Sequence, residues 1–197
     1  MNKLSKQIGG TDIYLIDQIL KGRFKSGQRV LDAGCGWGRN LKWFIKNNLE
    51  VYGVDFDPQK IIGIKSEYPH IKANFEVGNI ENLIFEDAYF NHIICSAVLH
   101  FAVSSDQFKK MIVELVRVLQ PRGSLFIRMA SNFATNHPYQ AIKNGIFQLR
   151  DGSERFLLDD ELLKWVLNTQ TVQMVEPLKT TNVSELRCMS TLVLEKI

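Results

Sequence analysis

The apolar residues of this chain follow two alternating patterns, one typical of helices and one typical of buried strands. Between Ser105 and Leu119 they recur on one face at helical spacing, which predicts a long amphipathic helix. Elsewhere they form short runs bounded by glycine, proline or asparagine, which predict strands. The predicted helices cover 12–20, 40–47, 58–68 and 105–119, with one more starting at 159. The predicted strands cover 28–32, 50–55, 72–77, 90–96, 124–129, 171–179 and 185–196.

The order of these elements predicts the fold class. Strands and helices alternate through most of the chain, which is typical of an α/β fold with a Rossmann-like, doubly wound and mostly parallel sheet. The runs 171–179 and 185–196 are close enough in sequence to pair as an antiparallel hairpin. We therefore expect a seven-stranded sheet with this hairpin at its edge.

The length of the chain predicts its domain organisation. A chain of 197 residues is the size of a single domain, here residues 1–197. Residues 1–24 are expected to form a cap around a helix that begins after Thr11 or Asp12. The stretch 130–158 interrupts the alternation and is rich in Asn, His and Gly, which predicts a lid or substrate-binding insertion.

The composition narrows the range of partners. The chain has 24 Lys and Arg against 21 Asp and Glu, a net charge of +3, without the concentrated basic face of nucleic-acid-binding proteins. The 3 cysteines show no metal-ligand spacing, so we expect no metal site and a reducing, cytoplasmic location. Residues 1–12 lack a signal-peptide pattern, and no run is apolar enough to span a membrane. These features favour a protein that binds neither nucleic acid nor membranes, as a monomer or homodimer.

A glycine-rich turn follows the first predicted strand. Gly34, Gly36 and Gly38 allow a sharp turn between strand and helix and leave room for a ligand against the main chain. Asp55, at the end of the second strand, is placed to accept hydrogen bonds from ribose hydroxyls. Asp32 precedes the turn, where its charge would repel the pyrophosphate of a dinucleotide and attract a cationic ligand. The pattern therefore predicts a cofactor that combines a nucleoside with positive charge.

The segment 30–40, which reads VLDAGCGWGRN, resembles the first motif of class I S-adenosylmethionine-dependent methyltransferases. The similarity to this family extends from about Gln28 to the C-terminus, and the triplet at 38–40 also resembles tellurite-resistance-type methyltransferases. The resemblance implies S-adenosyl-L-methionine as the cofactor and S-adenosyl-L-homocysteine as the product. The cofactor-binding residues that it implies are Asp32, Gly34, Cys35, Gly36, Gly38, Asn40, Asp55, Phe56, Asn79, Ile80 and Ser96.

Within this set, the resemblance implies individual roles. Asp32 and the glycine turn would hold the methionine moiety, and Phe56 would pack against the adenine. Asn79 stands where the family commonly has aspartate, and its amide can still hydrogen-bond an adenine edge. Ser96 closes the fourth strand, where the family lines the methyl-transfer site. Cys35 is expected mainly to fill the tight turn with a small side chain.

His100 is the candidate catalytic residue. It follows a strand whose carboxyl end is expected to face the ligand crevice, and histidine titrates near neutrality, as a general base must. The alternative is a histidine packed beside Phe101 and satisfied by the backbone. A base is required only when the accepting atom begins protonated.

Four further residues are candidates for substrate binding. Arg128, Arg150 and Arg155 carry guanidinium groups that can clamp a carboxylate or phosphate, although solvated or salt-bridged arginines are the commoner outcome. Tyr14, in the N-terminal helix, is expected to cap the site or to be half-buried packing. We expect methyl transfer to a small-molecule acceptor by in-line displacement. The alternatives are an RNA or protein methyltransferase of the same fold, an NAD-binding oxidoreductase, or a non-catalytic cofactor-binding protein.

Overall fold

Eight strands form the main sheet of the computed structural model, which describes residues 7–197. These strands are β1 Arg29–Ala33, β2 Glu50–Asp55, β3 Phe75–Val77, β4 Phe90–Ser96, β5 Leu119–Ser131, β9 Val172–Met174, β10 Lys179–Val183 and β11 Arg187–Lys196. A separate three-stranded sheet contains β6 Gln140–Lys143, β7 Ile146–Gln148 and β8 Glu154–Phe156. The α-helices are α1 Ile13–Leu20, α2 Leu41–Lys46, α3 Pro58–Glu67, α4 Ser105–Val118 and α5 Asp160–Thr169.

The order of the strands confirms the α/β, Rossmann-like fold class. Across the main sheet the order is β10-β11-β5-β4-β1-β2-β3, and the five strands from β5 to β3 are parallel. Chain order reverses at β1, between β4 and β2. In open sheets of this kind, ligands bind outside the carboxyl ends of the strands at such a reversal. The topology therefore predicts a ligand site at the carboxyl ends of β1, β2 and β4.

The antiparallel edge differs from the predicted hairpin. The hairpin is formed by β10 and β11, whereas the predicted strand 171–179 contributes only β9, which pairs with the far end of β11. Pro177 explains the difference, because proline cannot donate a ladder hydrogen bond and interrupts the run between β9 and β10. The main sheet accordingly has eight strands instead of seven.

The start of the third strand also differs from its prediction. The predicted strand 72–77 is a strand only over β3, because Pro69–Asn74 forms a 3₁₀ helix. Proline is favoured in the first turn of a helix, where its missing N–H has no partner to lose. The predicted strand therefore starts three residues too early, and its carboxyl end at Val77 agrees with the structure.

The insertion at 130–158 is more regular than its composition indicates. It contains the antiparallel sheet β6-β7-β8, and apolar side chains next to these strands form a small cluster of their own with β5 and β11. The buried members of that cluster are Ala130, Tyr139, Leu149, Leu157 and Met189. Short strands with exposed side chains, such as β6, carry no apolar alternation, so the pattern could not predict them.

Helix α1 is attached to the antiparallel edge of the sheet. Lys21 and Lys179 form ion pairs with Asp17 and Glu176, and the Tyr14 hydroxyl forms a hydrogen bond with Thr181. Of the expected cap 1–24, residues 1–6 lie outside the described part. Within residues 7–197, no helix is long and apolar enough to cross a membrane, and no group of three His, Cys, Asp or Glu could hold a metal ion.

Candidate functional site

The glycine turn connects β1 to α2 and has an open inner face. Gly34, Gly36 and Gly38 have φ angles of +80°, +55° and +77°, which favour glycine over residues with a side chain. The N–H groups of Gly34 and Cys35 both donate to the Val54 carbonyl, at 2.7 and 3.0 Å, and fix the turn to β2. A Cβ atom added at Gly36 would have no atom within 4 Å. The turn therefore leaves a space beside the backbone that a ligand can fill.

The carboxylate of Asp55 fixes the other side of this space. Its Oδ2 accepts a hydrogen bond from the Gly36 N–H at 2.9 Å, and its Oδ1 accepts one from the Asp57 N–H at 3.0 Å. The ammonium group of Lys60 lies 3.6 Å from Oδ1. A carboxylate has about four lone-pair sites, so acceptor capacity remains for a ligand hydroxyl. Asp55 therefore both holds the turn and is available as a ligand acceptor.

Asp32 is a buried carboxylate with an unused oxygen. Its side chain is 1% exposed, and Oδ2 has no hydrogen-bond partner within the described residues. Burial raises the pKa of Asp32 to about 7, and the nearby Asp55 adds to the rise, while Arg39 and a hydrogen bond from Asn40 oppose it. A buried polar group without a partner is costly, so this oxygen is well suited to receive a cationic ligand group.

The raised pKa of Asp32 predicts how stability depends on pH. Folding favours the protonated acid, so its contribution to stability is complete below 3.8 and is lost as the pH rises to about 7. Without cofactor, Asp32→Asn should therefore become progressively more stable relative to the wild type between about pH 4 and pH 7. Urea unfolding of both proteins across this window measures the difference.

The neighbouring carboxylate of Asp57 provides the control for this experiment. Its side chain is 34% exposed, so Asp57→Asn measures the change in stability that comes from replacing a carboxylate outside the core. A stability difference between Asp32→Asn and the wild type that stays constant across the window would contradict the raised pKa of Asp32.

Two expected adenine contacts lie on exposed edges near the site. Phe56 follows Asp55 and is 72% exposed, with its ring 5.3 Å from the Lys60 ammonium. Asn79 is also exposed and, with Val77 and Gly78, lines a small depression beyond β3. An exposed aromatic ring next to a buried carboxylate is an arrangement that can stack against a base while the carboxylate binds a sugar.

The side chains of three other expected cofactor residues make contacts within the protein itself. The Cys35 sulfur packs against Gly53, and burial raises the pKa of the thiol above its usual range. Ile80 is buried in the main core. The Asn40 Oδ1 accepts a hydrogen bond from the Asp12 N–H at 3.1 Å. Any contribution of Cys35 and Ile80 to ligand binding would therefore come from their backbone atoms.

The features on this side of the site fit S-adenosylmethionine, the cofactor that the resemblance implies. The unpartnered oxygen of Asp32 suits the α-ammonium group, and Asp55 suits the ribose hydroxyls. The open face at Gly36 allows close approach to the backbone, and the exposed ring of Phe56 suits the adenine. The polar and aromatic groups of these residues therefore match the ammonium, ribose and adenine parts of S-adenosylmethionine.

Asp12 connects the N-terminal segment to both halves of the site. Its Oδ2 accepts a hydrogen bond from the Ser96 hydroxyl at 3.3 Å and lies 3.4 Å from an Arg128 nitrogen and 3.8 Å from an Arg39 nitrogen. Arg39 also donates to the Ser96 hydroxyl at 3.2 Å. The sequence indicated Asp12 only as a residue before the first predicted helix, and in the structure its Oδ1 caps that helix by accepting the Tyr14 N–H.

A cavity of about 260 Å³ adjoins this network. Its polar wall is formed by Arg39, His100, Arg128, Asp151, Arg155 and Arg187. Apolar side chains, among them Leu149, Val183 and Met189, complete the lining. Arg39 comes directly after the glycine turn and Ala97 directly after β4, so the cavity begins where the cofactor space ends.

His100 lines the cavity, but the hydrogen bonding and protonation of its ring differ from those expected of a general base. Its Nδ1 accepts a hydrogen bond from the Ala130 N–H at 3.2 Å, so the neutral ring carries its proton on Nε2. Burial, together with the positive charge of three cavity arginines, lowers the pKa of His100 to about 4. The ring also packs edge-on against Phe101. At neutral pH this arrangement provides a hydrogen-bond donor and leaves no free ring lone pair to accept a proton.

The expected substrate residues divide between the cavity and the insertion. Arg128 and Arg155 line the cavity, and Tyr14 packs its ring 5.2 Å from the Arg128 guanidinium. Arg150 does not line it, because its guanidinium donates to the carbonyls of Glu185 and His137 and braces the insertion. A clamping role for Arg150 is therefore replaced by a structural one.

Sequence reasoning missed four charged residues of the site, namely Asp12, Arg39, Asp151 and Arg187. Arg39 was part of the recognised motif, and its position directly after the turn could have identified it as a site residue. Arg187 begins β11 and forms an ion pair with Asp151 at 2.8 Å. Asp12 and Arg187 lie far in sequence from the motif, so no local signal could have placed them there.

Comparison with known proteins is consistent with this geometry. A family model described as a methyltransferase domain matches residues 31–127. An uncharacterized methyltransferase of Synechocystis sp. is 30% identical over 125 residues, which cover 62% of this chain and 57% of that protein. The chain spans about half the length of the curated relatives it matches.

Solved structures show the same fold at lower identity. A methyltransferase from Methanosarcina mazei, described as SAM-dependent, superposes with a TM-score of 0.74 at 19% identity, covering 91% of this chain and 97% of that one. The 1,6-didemethyltoxoflavin-N1-methyltransferase of Burkholderia thailandensis, solved with 1,6-didemethyltoxoflavin and S-adenosylhomocysteine bound, has a TM-score of 0.68 at 16% identity. That match covers 92% of this chain and 75% of the Burkholderia chain.

Proposed function

We propose that this chain is a class I S-adenosylmethionine-dependent methyltransferase that transfers a methyl group from its cofactor to a small-molecule acceptor. The cofactor is S-adenosylmethionine, the cofactor of this family. The assignment of a small acceptor rests on the cavity next to the glycine turn.

The observation that carries this proposal is the cavity of about 260 Å³ next to the glycine turn. A space of this volume lies just below the range of about 300–1,000 Å³ typical of small-molecule sites, so it would take a small acceptor whole but only a single side chain or base of a macromolecule. It joins the cofactor space through Arg39 and Ala97. The bound small molecule in the Burkholderia structure of the same fold agrees with an acceptor of this size.

The residues of the chain hold and orient the two reactants. When bound, S-adenosylmethionine supplies an electrophilic methyl group on a sulfonium centre. Asp32 and Asp55 would hold the ammonium and ribose groups, which fixes the cofactor relative to the end of β4. Alignment of two reactants in a site that excludes water can supply much of the rate enhancement.

His100 would act on the acceptor as a hydrogen-bond donor. Its Nδ1 is occupied by the Ala130 N–H, which leaves Nε2–H as the polar group of the ring. A donor of this kind orients an acceptor oxygen without removing a proton. The accepting atom would then be one that carries a lone pair at neutral pH without assistance from this histidine.

Two measurements test the proposed function. Calorimetry should show that S-adenosylhomocysteine binds and that NADH does not, as expected from the paired carboxylates and the open turn. A screen of small acceptors with S-adenosylmethionine should then detect formation of S-adenosylhomocysteine. Binding of NADH alone would favour the oxidoreductase alternative, and turnover that requires RNA or protein would contradict a small-molecule acceptor. Cofactor binding without turnover on any acceptor would favour the non-catalytic alternative.

A further inference from the structure

Two arginines of the cavity have donor groups without partners. The Nε–H of Arg128 is buried and has no hydrogen-bond partner within residues 7–197. Arg155 donates one bond, to the Glu154 carbonyl, and its guanidinium lies 4.8 Å from the Phe101 ring centre. Among the described residues, no carboxylate forms an ion pair with Arg155. Buried or shielded donors of this kind call for an acceptor that the chain itself does not supply.

The charges that line the cavity also favour a ligand that can accept these hydrogen bonds. Arg39 and Arg128 share the carboxylate of Asp12, and Arg187 is paired with Asp151. His100 is neutral above about pH 5, since its pKa is lowered to about 4. The four guanidinium groups therefore face two carboxylates, which leaves an excess of positive charge inside the cavity. A ligand carrying negative charge would balance it.

We propose that the methyl acceptor carries an anionic oxygen group, a carboxylate or a phosphate, that binds between Arg128 and Arg155. The inference rests on the proposed function and specifies its substrate class. Planar guanidinium groups bind both anions through two parallel N–H···O bonds, which lysine cannot do. The apolar side chains of Leu149, Val183 and Met189 would contact the uncharged body of the acceptor.

The anion site is distinct from the place of the cofactor carboxylate. Arg39 is the cavity arginine next to the glycine turn, whereas Arg155 belongs to β8 in the insertion. The methionine carboxylate would therefore meet Arg39 first, and Arg155 would remain for the acceptor. Saturation with S-adenosylhomocysteine fills the cofactor position and separates the two anion sites experimentally.

Titration with simple anions tests the proposal. Inorganic phosphate and malonate are titrated separately by calorimetry into protein saturated with S-adenosylhomocysteine, at an ionic strength fixed with chloride. We expect at least one of them to bind, and Arg155→Gln to weaken that binding at least about tenfold. Arg155→Lys keeps the charge and loses the two-bond geometry, so it should restore only part of the affinity. The anion that binds more tightly identifies the group as phosphate or carboxylate.

A matched variant controls for the loss of positive charge in Arg155→Gln. Arg122 is 79% exposed and lies outside the cavity, so Arg122→Gln removes the same charge and should leave anion binding unchanged. Lack of binding by both anions, or binding that Arg155→Gln does not weaken, would overturn the anionic acceptor. Neither result would affect the proposed function, which is tested separately by the binding of S-adenosylhomocysteine and by the acceptor screen.

Discussion

Asp55→Ala should weaken the binding of S-adenosylhomocysteine by about 100-fold, because the carboxylate has two functions in the site. It would accept hydrogen bonds from the ribose, and hydrogen bonds to charged groups each contribute roughly 1.5–3 kcal/mol. It also holds the Gly36 N–H at 2.9 Å and so keeps the glycine turn against β2. Calorimetric measurement of the dissociation constant for both proteins gives the ratio directly.

Asp57→Ala is the matched control for this prediction. Asp57 is two residues away, and its carboxylate caps α3 by accepting the Gln59 N–H at 2.9 Å. Loss of an N-cap costs about 1 kcal/mol of stability, but this carboxylate does not hold the turn. We expect Asp57→Ala to melt at a lower temperature and to keep its cofactor affinity. An unchanged dissociation constant in Asp55→Ala would remove Asp55 from the ribose site.

Gly34→Ala should destabilise the protein by roughly 2–5 kcal/mol, since two costs add at this position. The φ angle of +80° disfavours any residue with a side chain. A Cβ atom there would also lie 2.4 and 2.8 Å from the two methyl groups of Val98, which packs over the turn from the end of β4. Urea unfolding of the wild type and the variant measures the loss.

Gly36→Ala, in the same turn, should lower cofactor binding strongly and stability only slightly. Its φ angle is +55°, but an added Cβ would have no atom within 4 Å, so the stability cost should be only about 1 kcal/mol. That Cβ would occupy the space assigned to the cofactor, so binding of S-adenosylhomocysteine should fall sharply. A folded Gly36→Ala protein that binds the cofactor normally would contradict the assignment of this space.

The local parts of the fold were predictable from the sequence. The helices α3 and α4 and the strands β1, β2 and β4 lie close to their predicted bounds, because apolar periodicity and proline or glycine boundaries determine them locally. The small sheet β6-β7-β8 was not predicted. Its strands are three or four residues long and gain stability from contacts such as the Phe156 ring against Gly145, which no local pattern reveals.

The sequence by itself determined the glycine turn and the two carboxylates beside it. A positive φ angle requires glycine, and an acid at the end of a strand lies at the sheet edge whatever surrounds it. These are properties of short segments, so the residues Asp32, Gly36 and Asp55 were identifiable without a structure. The resemblance that named the cofactor depended on the same short segments.

Only the tertiary structure decided what lies on the acceptor side. The cavity unites Arg39, His100, Arg128, Arg155 and Arg187, which belong to segments that meet only after the sheet and the insertion have formed. In the folded chain Arg150 lies outside the cavity lining and braces the insertion, whereas Arg187 lines the cavity. One nitrogen of His100 accepts the Ala130 N–H. The roles of these side chains depend on long-range packing and on charges from other elements. The sequence could therefore supply candidates for the acceptor side, but not their arrangement.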